Sequence, residues 1–214
     1  MSELKLNTVG TTGAGERLLV LVHGYGANEH DLAPLVPHID PEGDFFTVCP
    51  RGPFSVMGFG AGWYERNDDG EIDPAMFVAS VDALDATIDS VCAEHGFDRS
   101  QAVIIGFSQG GAMTLASALR AKGATRPAAM ACLSGMLTEL DGLDYIYEQP
   151  MADERLPEIL IHHGTHDPVV TIDRGHKTRD TLAKHGVDHT YREYPMQHEI
   201  SPASIHDLRD WLGH

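Results

Sequence analysis

Basic residues are scarce in this sequence: 15 Lys and Arg stand against 32 Asp and Glu, for a formal net charge of -17, and Lys5, Lys122, Lys177 and Lys184 are its only lysines. Binding to nucleic acid and docking on anionic lipid both depend on clustered cations, so neither is expected of this chain. Cysteine is scarce too. Cys49, Cys92 and Cys132 are odd in number, far apart and each beside apolar residues. That suits reduced core thiols better than a disulfide framework or a zinc site, and no structural metal is expected. Apolar runs of about eighteen residues, the length a spanning helix needs, are missing. Met1-Ser2-Glu3-Leu4-Lys5-Leu6 has neither the basic start nor the long apolar stretch of a signal peptide. The expectation is a cytoplasmic protein with no stable membrane association. Internal repeats and low-complexity segments are also lacking.

What remains is a chain of 214 residues, 42% hydrophobic, which is enough for one sizeable core and reads as a single domain over 1–214. Short apolar runs of buried-strand length recur at Leu18–Val22, Phe45–Pro50, Ala102–Gly106, Ala128–Gly135 and Glu158–Gly164, with a first strand near Leu4–Val9 and a last over His189–Tyr194. Thr11–Gly15 reads as a turn. Asn28 is placed to cap a short helix toward Leu35 that Pro34 or Pro37 limits. The clearest helix is Pro74–His95, where Phe77, Val81, Leu84, Ile88 and Val91 recur at helical spacing, with Pro74 in its first turn and Gly96 as its stop. Its acidic row, Asp82, Asp85 and Asp89, reads as a solvated face. Further helices follow over Ala112–Arg120, Asp173–His185 and Ser201–Leu212. Strands alternating with helices in this way give a mostly parallel central sheet with helices on both faces.

One stretch carries chemistry. Ala102-Val103-Ile104-Ile105-Gly106-Phe107-Ser108-Gln109-Gly110-Gly111 is an apolar strand that breaks at a glycine and delivers a serine just before a helix. A G-x-S-x-G segment in that context reads as a nucleophile elbow, because only small neighbours let strand and helix approach closely enough for so tight a turn. The bland alternative is a glycine-rich turn of no chemical meaning. A serine hydroxyl is a poor nucleophile at neutral pH, so it needs a base to take its proton and a carboxylate to orient that base. Asp167 follows one strand end and His198 follows the last strand, the chain order Ser, Asp, His that such folds use. His162, His163 and His166 crowd beside Asp167, but alternate strand residues face opposite ways, which argues against a shared metal. His163 reads as a core histidine holding the loop by a hydrogen bond. His23-Gly24-Tyr25-Gly26-Ala27 directly after a strand is either a plain turn or the source of an oxyanion-hole N–H. The long irregular segment Arg51–Asp73 carries Phe54, Met57, Phe59, Trp63 and Tyr64. These aromatics are satellite core or a substrate wall.

These residues resemble the phospholipase/carboxylesterase family of α/β-hydrolases, which includes bacterial carboxylesterases and acyl-protein thioesterases. Its carriers are His23-Gly24-Tyr25-Gly26-Ala27, Pro50-Arg51-Gly52-Pro53, Trp63-Tyr64, Gly106-Phe107-Ser108-Gln109-Gly110-Gly111, Leu133-Ser134-Gly135, His163-Gly164-Thr165-His166-Asp167-Pro168-Val169-Val170 and Tyr194-Pro195-Met196-Gln197-His198-Glu199-Ile200. The resemblance implies an α/β-hydrolase fold with a minimal lid, Ser108 as nucleophile, His198 as general base and then acid, and Asp167 as its orienter. It also implies the backbone N–H groups of Tyr25 and Gln109 as the oxyanion hole. The family usually has leucine where Tyr25 stands and aspartate where Glu65 stands. The reading is a serine hydrolase that cleaves carboxylic esters of short to medium acyl length through an acyl-enzyme, with Trp63, Met57 and Phe59 walling a shallow acyl groove. An acyl-protein thioesterase or lysophospholipase is the alternative within the class. A catalytically silent small-molecule binding module is the alternative outside it. No cofactor is expected, the partner is a small-molecule ester, and a homodimer is left open.

Overall fold

Alternation along Arg17–Val22 (β2) sends Leu18, Val20 and Val22 into one hydrophobic core and Leu19 and Leu21 into another, as a strand buried on both faces must. The computed structural model describes residues 4–9, 15–120, 125–147 and 155–213. The Thr11–Gly15 turn falls almost wholly outside them. Beside β2 run Leu6–Val9 (β1), Phe45–Pro50 (β3), Val103–Phe107 (β6), Ala129–Leu133 (β7), Glu158–Gly164 (β8) and Thr190–Tyr194 (β9), in the sheet order β1-β3-β2-β6-β7-β8-β9. Within this sheet, among the described residues, only β1 runs antiparallel; the other pairings are parallel. Strand order reverses between β2 and β6, and open α/β sheets bind ligands outside the strands' carboxyl ends at such a reversal.

Helices cover both faces. Pro74–His95 (α2) has the bounds its apolar spacing predicts, with Asp73 accepting from the Ala75 N–H at its start and Gly96 in the left-handed region at its end. With Gln109–Leu119 (α3) it packs against the core that β2 and β6 share. Ile172–Lys184 (α4) contacts β8 and sends Leu182 into the core on that same side of the sheet. Pro202–Leu212 (α5) and the one-turn helix Val36–Ile39 (α1) pack together on the other face, where Leu208 is buried and Ile205, Trp211 and Leu212 are partly so.

Three expectations give way here. The helix from Asn28 is instead a capped turn, with the Asn28 side chain accepting from the His30 N–H, then a 3₁₀ turn over Ala33–Leu35 and α1. Pro34 and Pro37 begin these short pieces instead of limiting a longer one, since the first turn has no use for the missing N–H. The Arg51–Asp73 segment is not wholly irregular: Phe54–Val56 (β4) and Gly60–Gly62 (β5) pair as a hairpin. The acidic row of α2 is a solvated face only in part, with Asp89 exposed and Asp82 half-exposed. Asp85 is buried; Arg99 donates to it at 2.5 Å and to Asp89 at 2.9 Å, Arg120 binds both Asp85 and Asp82, and Ser117 donates to Asp85 at 2.5 Å. Periodicity within one helix cannot see cations that arrive from Arg99 and from the end of α3. No helix among the described residues is long and apolar enough to cross a membrane. The connections leaving β3 and β7 carry no α-helix before α2 and β8 among the described residues.

Candidate active site

The turn after β6 holds Ser108 at φ 56°, ψ -116°, a conformation L side chains avoid and a common mark of functional strain. Two glycines make it feasible. A Cβ on Gly106 would collide with the Gly110 carbonyl, and one on Gly110 with the carbonyl of Val22. The Ser108 N–H is anchored to the Leu133 carbonyl at 2.9 Å, and α3 starts at the next residue with its positive dipole end toward the serine.

His198, in the connection after β9, brings Nε2 to 2.9 Å from Ser108 Oγ, and its Nδ1 lies 2.7 Å from Asp167 Oδ2. With Nδ1–H donating to the carboxylate, Nε2 is the free acceptor for the serine proton. Asp167 is itself fixed: the N–H groups of Val169 and Val170 donate to Oδ1 at 2.8 and 2.9 Å. His163 is fully buried and donates from Nε2 to the Val170 carbonyl at 2.7 Å, the loop-holding part expected of it. His162 Nε2 lies 3.1 Å from the Tyr194 hydroxyl, which donates to Asp207 at 2.8 Å. Burial pushes the His162 pKa down to about 4, so the ring is a neutral core group.

The loop after β2 is equally constrained. Its His23 is buried, with Nδ1–H donating to the Gly24 carbonyl at 2.6 Å and Nε2 accepting from the Gly52 N–H at 3.0 Å. Those bonds require the neutral ring, and burial lowers its pKa in the same direction. Tyr25 and Gln109 lie on either side of the strand-order reversal. Among the described residues no protein acceptor takes either one's backbone N–H.

Of the residues assigned to the acyl wall, the structure separates one from the other two. Trp63 is 0% exposed, packed in the core beneath α2 and α3, with its indole N–H donating to the His23 carbonyl at 2.8 Å. It cannot line an open groove. Met57 and Phe59, at the hairpin tip, are 87% and 74% exposed, and Tyr25 is 53% exposed. Sequence reasoning also passed over Glu29. Burial opposes its charge, but hydrogen bonds from Lys5 and Arg51 overcome that and hold the carboxyl at about 2. Arg51 bonds Glu29 at 2.8 Å and the carbonyls of Phe59 and Gly60 at 3.0 and 2.9 Å, tying the hairpin to the loop after β2. The one signal in the sequence was an arginine just after a strand end. Among the described residues His206, Asp207 and Asp210 could gather round a cation, though Asp207 already holds Arg192 at 2.6 Å.

A serine hydroxyl hydrogen-bonded to an oriented imidazole, with two free N–H groups at the same sheet edge, has the geometry that acyl transfer uses. The model of the phospholipase/carboxylesterase family matches residues 7–214. The chain belongs to the phospholipase/carboxylesterase family. It is a carboxylic ester hydrolase with the α/β-hydrolase fold. Within the family it is 34% identical to acyl-protein thioesterase 1 of Neurospora crassa, over 91% of this chain and 84% of that protein. It is 25% identical to lysophospholipase-like protein 1 of Mus musculus, over 95% and 89%. The crystal structure of the Bacillus cereus carboxylesterase superposes with a TM-score of 0.81 at 21% identity, covering 97% of this chain and 92% of that one, and shares the fold.

Proposed function

We propose that this family member cleaves carboxylic esters of short to medium acyl length through a Ser108, His198, Asp167 triad and an acyl-enzyme. The observation that carries the reading is the unbroken hydrogen-bond chain from Ser108 Oγ to His198 Nε2 at 2.9 Å and from His198 Nδ1 to Asp167 Oδ2 at 2.7 Å. His198 takes the serine proton as Oγ attacks the ester carbonyl, Asp167 stabilises the resulting imidazolium, and the proton passes to the departing alcohol. The oxyanion forms against the N–H groups of Tyr25 and Gln109. Water, deprotonated by the same histidine, then releases the acid. An idle binding module would have no use for a serine strained to φ 56° with a base already on it.

The exposed rim supports the short acyl length. Tyr25, Met57 and Phe59 stand exposed, so methylenes beyond the first few stay wet and gain little of the ~0.8 kcal/mol that full burial of each supplies. The test is hydrolysis of p-nitrophenyl esters from acetate to palmitate by the wild type and Ser108→Ala. The alanine variant is expected to lose on the order of 10⁴- to 10⁶-fold in kcat while staying folded. Retention of a tenth of the wild-type rate would sink the triad. A second reading, an acyl-protein thioesterase or lysophospholipase, draws on the Neurospora crassa and Mus musculus relatives respectively. A kcat/KM that climbs steadily to palmitate, or a matched thioester preferred over its ester, would favour it.

A further inference from the structure

Residues 60–64 link the two loops that carry the free N–H groups. On one side the Gly26 N–H donates to the Ala61 carbonyl at 2.8 Å and the Ala61 N–H to the Ala27 carbonyl at 2.7 Å, so the loop after β2 is paired to the segment like a strand. On the other side the Gln109 side chain reaches back from the first residue of α3. Its Oε1 accepts from the Trp63 N–H at 3.0 Å and its Nε2 donates to the Tyr64 carbonyl at 2.8 Å. Both bonds agree with only one orientation of the amide. Trp63 between them is held by its indole N–H on the His23 carbonyl at 2.8 Å and by Ser80 Oγ on its own carbonyl at 2.5 Å. Arg51 fixes the near end through the carbonyls of Phe59 and Gly60.

We infer that residues 60–64 are a strap setting the spacing of the oxyanion hole, and that the Gln109 side chain is a positioning residue for it, separate from the backbone N–H of the same residue. The inference rests on the reading of the Tyr25 and Gln109 N–H groups as oxyanion donors. Such donors act only at hydrogen-bond distance from where charge develops, and small misplacements are expensive in rate. The paired strands β2 and β6 bring the two loops near each other. The strap adds a cross-tie beyond the strand ends, where the donors sit. The buried Trp63 thereby serves the site from the core without touching substrate.

The experiment compares Gln109→Ala, Gln109→Glu, Trp63→Phe and Ser108→Ala with the wild type. Rates on p-nitrophenyl acetate are normalised to sites titrated with a fluorophosphonate, so that misfolded protein is not counted, except for Ser108→Ala, which has no serine to titrate and is normalised to folded protein measured by circular dichroism. Gln109→Ala keeps the backbone N–H and loses the tie. Its kcat is expected to fall about 10- to 100-fold with KM changed less than about threefold, and its affinity for a boronic acid, which forms a tetrahedral adduct, to weaken by the same factor as kcat. Trp63→Phe is expected to show the same pattern in smaller measure, which covers the case that Gln109→Ala does not fold. Gln109→Glu can accept from Trp63 but donates to Tyr64 only when protonated. Its rate relative to wild type is therefore expected to rise as pH falls, which a bulk structural role would not produce. Wild-type kcat per titrated site in Gln109→Ala, a loss confined to KM, or a Gln109→Glu ratio flat with pH would overturn the strap. Ser108→Ala separates the two claims: if it retains activity the triad fails, and if it is dead while Gln109→Ala runs at full rate only the strap fails.

Discussion

At the scale of single residues the site depends on tautomers and on donors held in place. Asp167→Asn would offer an N–H to a ring nitrogen that must itself donate, favouring the wrong imidazole tautomer, and a loss of up to about 10⁴ in kcat is expected, with little change in fold by circular dichroism. His162 carries a different consequence. Its pKa is about 4 in the folded protein and 6.5 ordinarily, so between those values the unfolded chain binds the extra proton and stability falls as pH falls. Urea titrations from pH 7 to 4 are expected to show that slope, and His162→Gln to flatten it; an unchanged slope in the variant would assign it elsewhere. Ser108, Asp167 and His198 were legible in the sequence because each follows a strand end in an order that one sheet can bring together. Trp63 was not, because an aromatic on a long loop reads alike whether it faces solvent or core. What decides it is the His23 carbonyl, 40 residues away in the chain, which takes the indole N–H.

Elements were read best where a single local pattern sets them. The bounds of α2 and β8 coincide with the expected ones since a capped amphipathic helix and a run of buried strand residues need no partner to be recognised. Hairpin β4–β5 escaped notice because strands of three residues, one of them Gly60-Ala61-Gly62, are too short to show a period, and what secures them is Arg51 with Glu29. That carboxyl, at about 2 against an ordinary 4.5, contributes stability present above pH 4.5 and lost as pH falls toward 2, at most about 3 kcal/mol. Glu29→Gln is expected to weaken both the hairpin and the loop after β2, with faster hydrogen exchange at residues 26 and 61 and a lower kcat. Exchange unchanged at those amides would show the hairpin needs no such tie. The α2 network makes a stronger demand. Asp85→Asn would leave Arg99 and Arg120 short of a buried counter-charge, and a loss of about 3–5 kcal/mol is expected from denaturant unfolding. A loss under 1 kcal/mol would mean that water reaches these guanidinium groups.

Over the whole molecule the net charge of -17 remains, although Arg99 and Arg120 pair with Asp82, Asp85 and Asp89 on α2 and offset two of their three negative charges. The remaining excess repels itself most at low ionic strength. Added NaCl is expected to raise the unfolding midpoint, and a neutral ester to be preferred over a matched anionic one until salt screens the field. A midpoint that falls with salt would locate the controlling charges in pairs such as those around Asp85 instead. A covalent intermediate on Ser108 is detected by rapid-quench intact mass of the protein mixed with a stoichiometric p-nitrophenyl ester, followed by peptide mapping. The expected result is a transient gain equal to the acyl group, confined to the peptide bearing Ser108 and absent from Ser108→Ala. Turnover with no acylated protein, or with the acyl group on another residue, would contradict it.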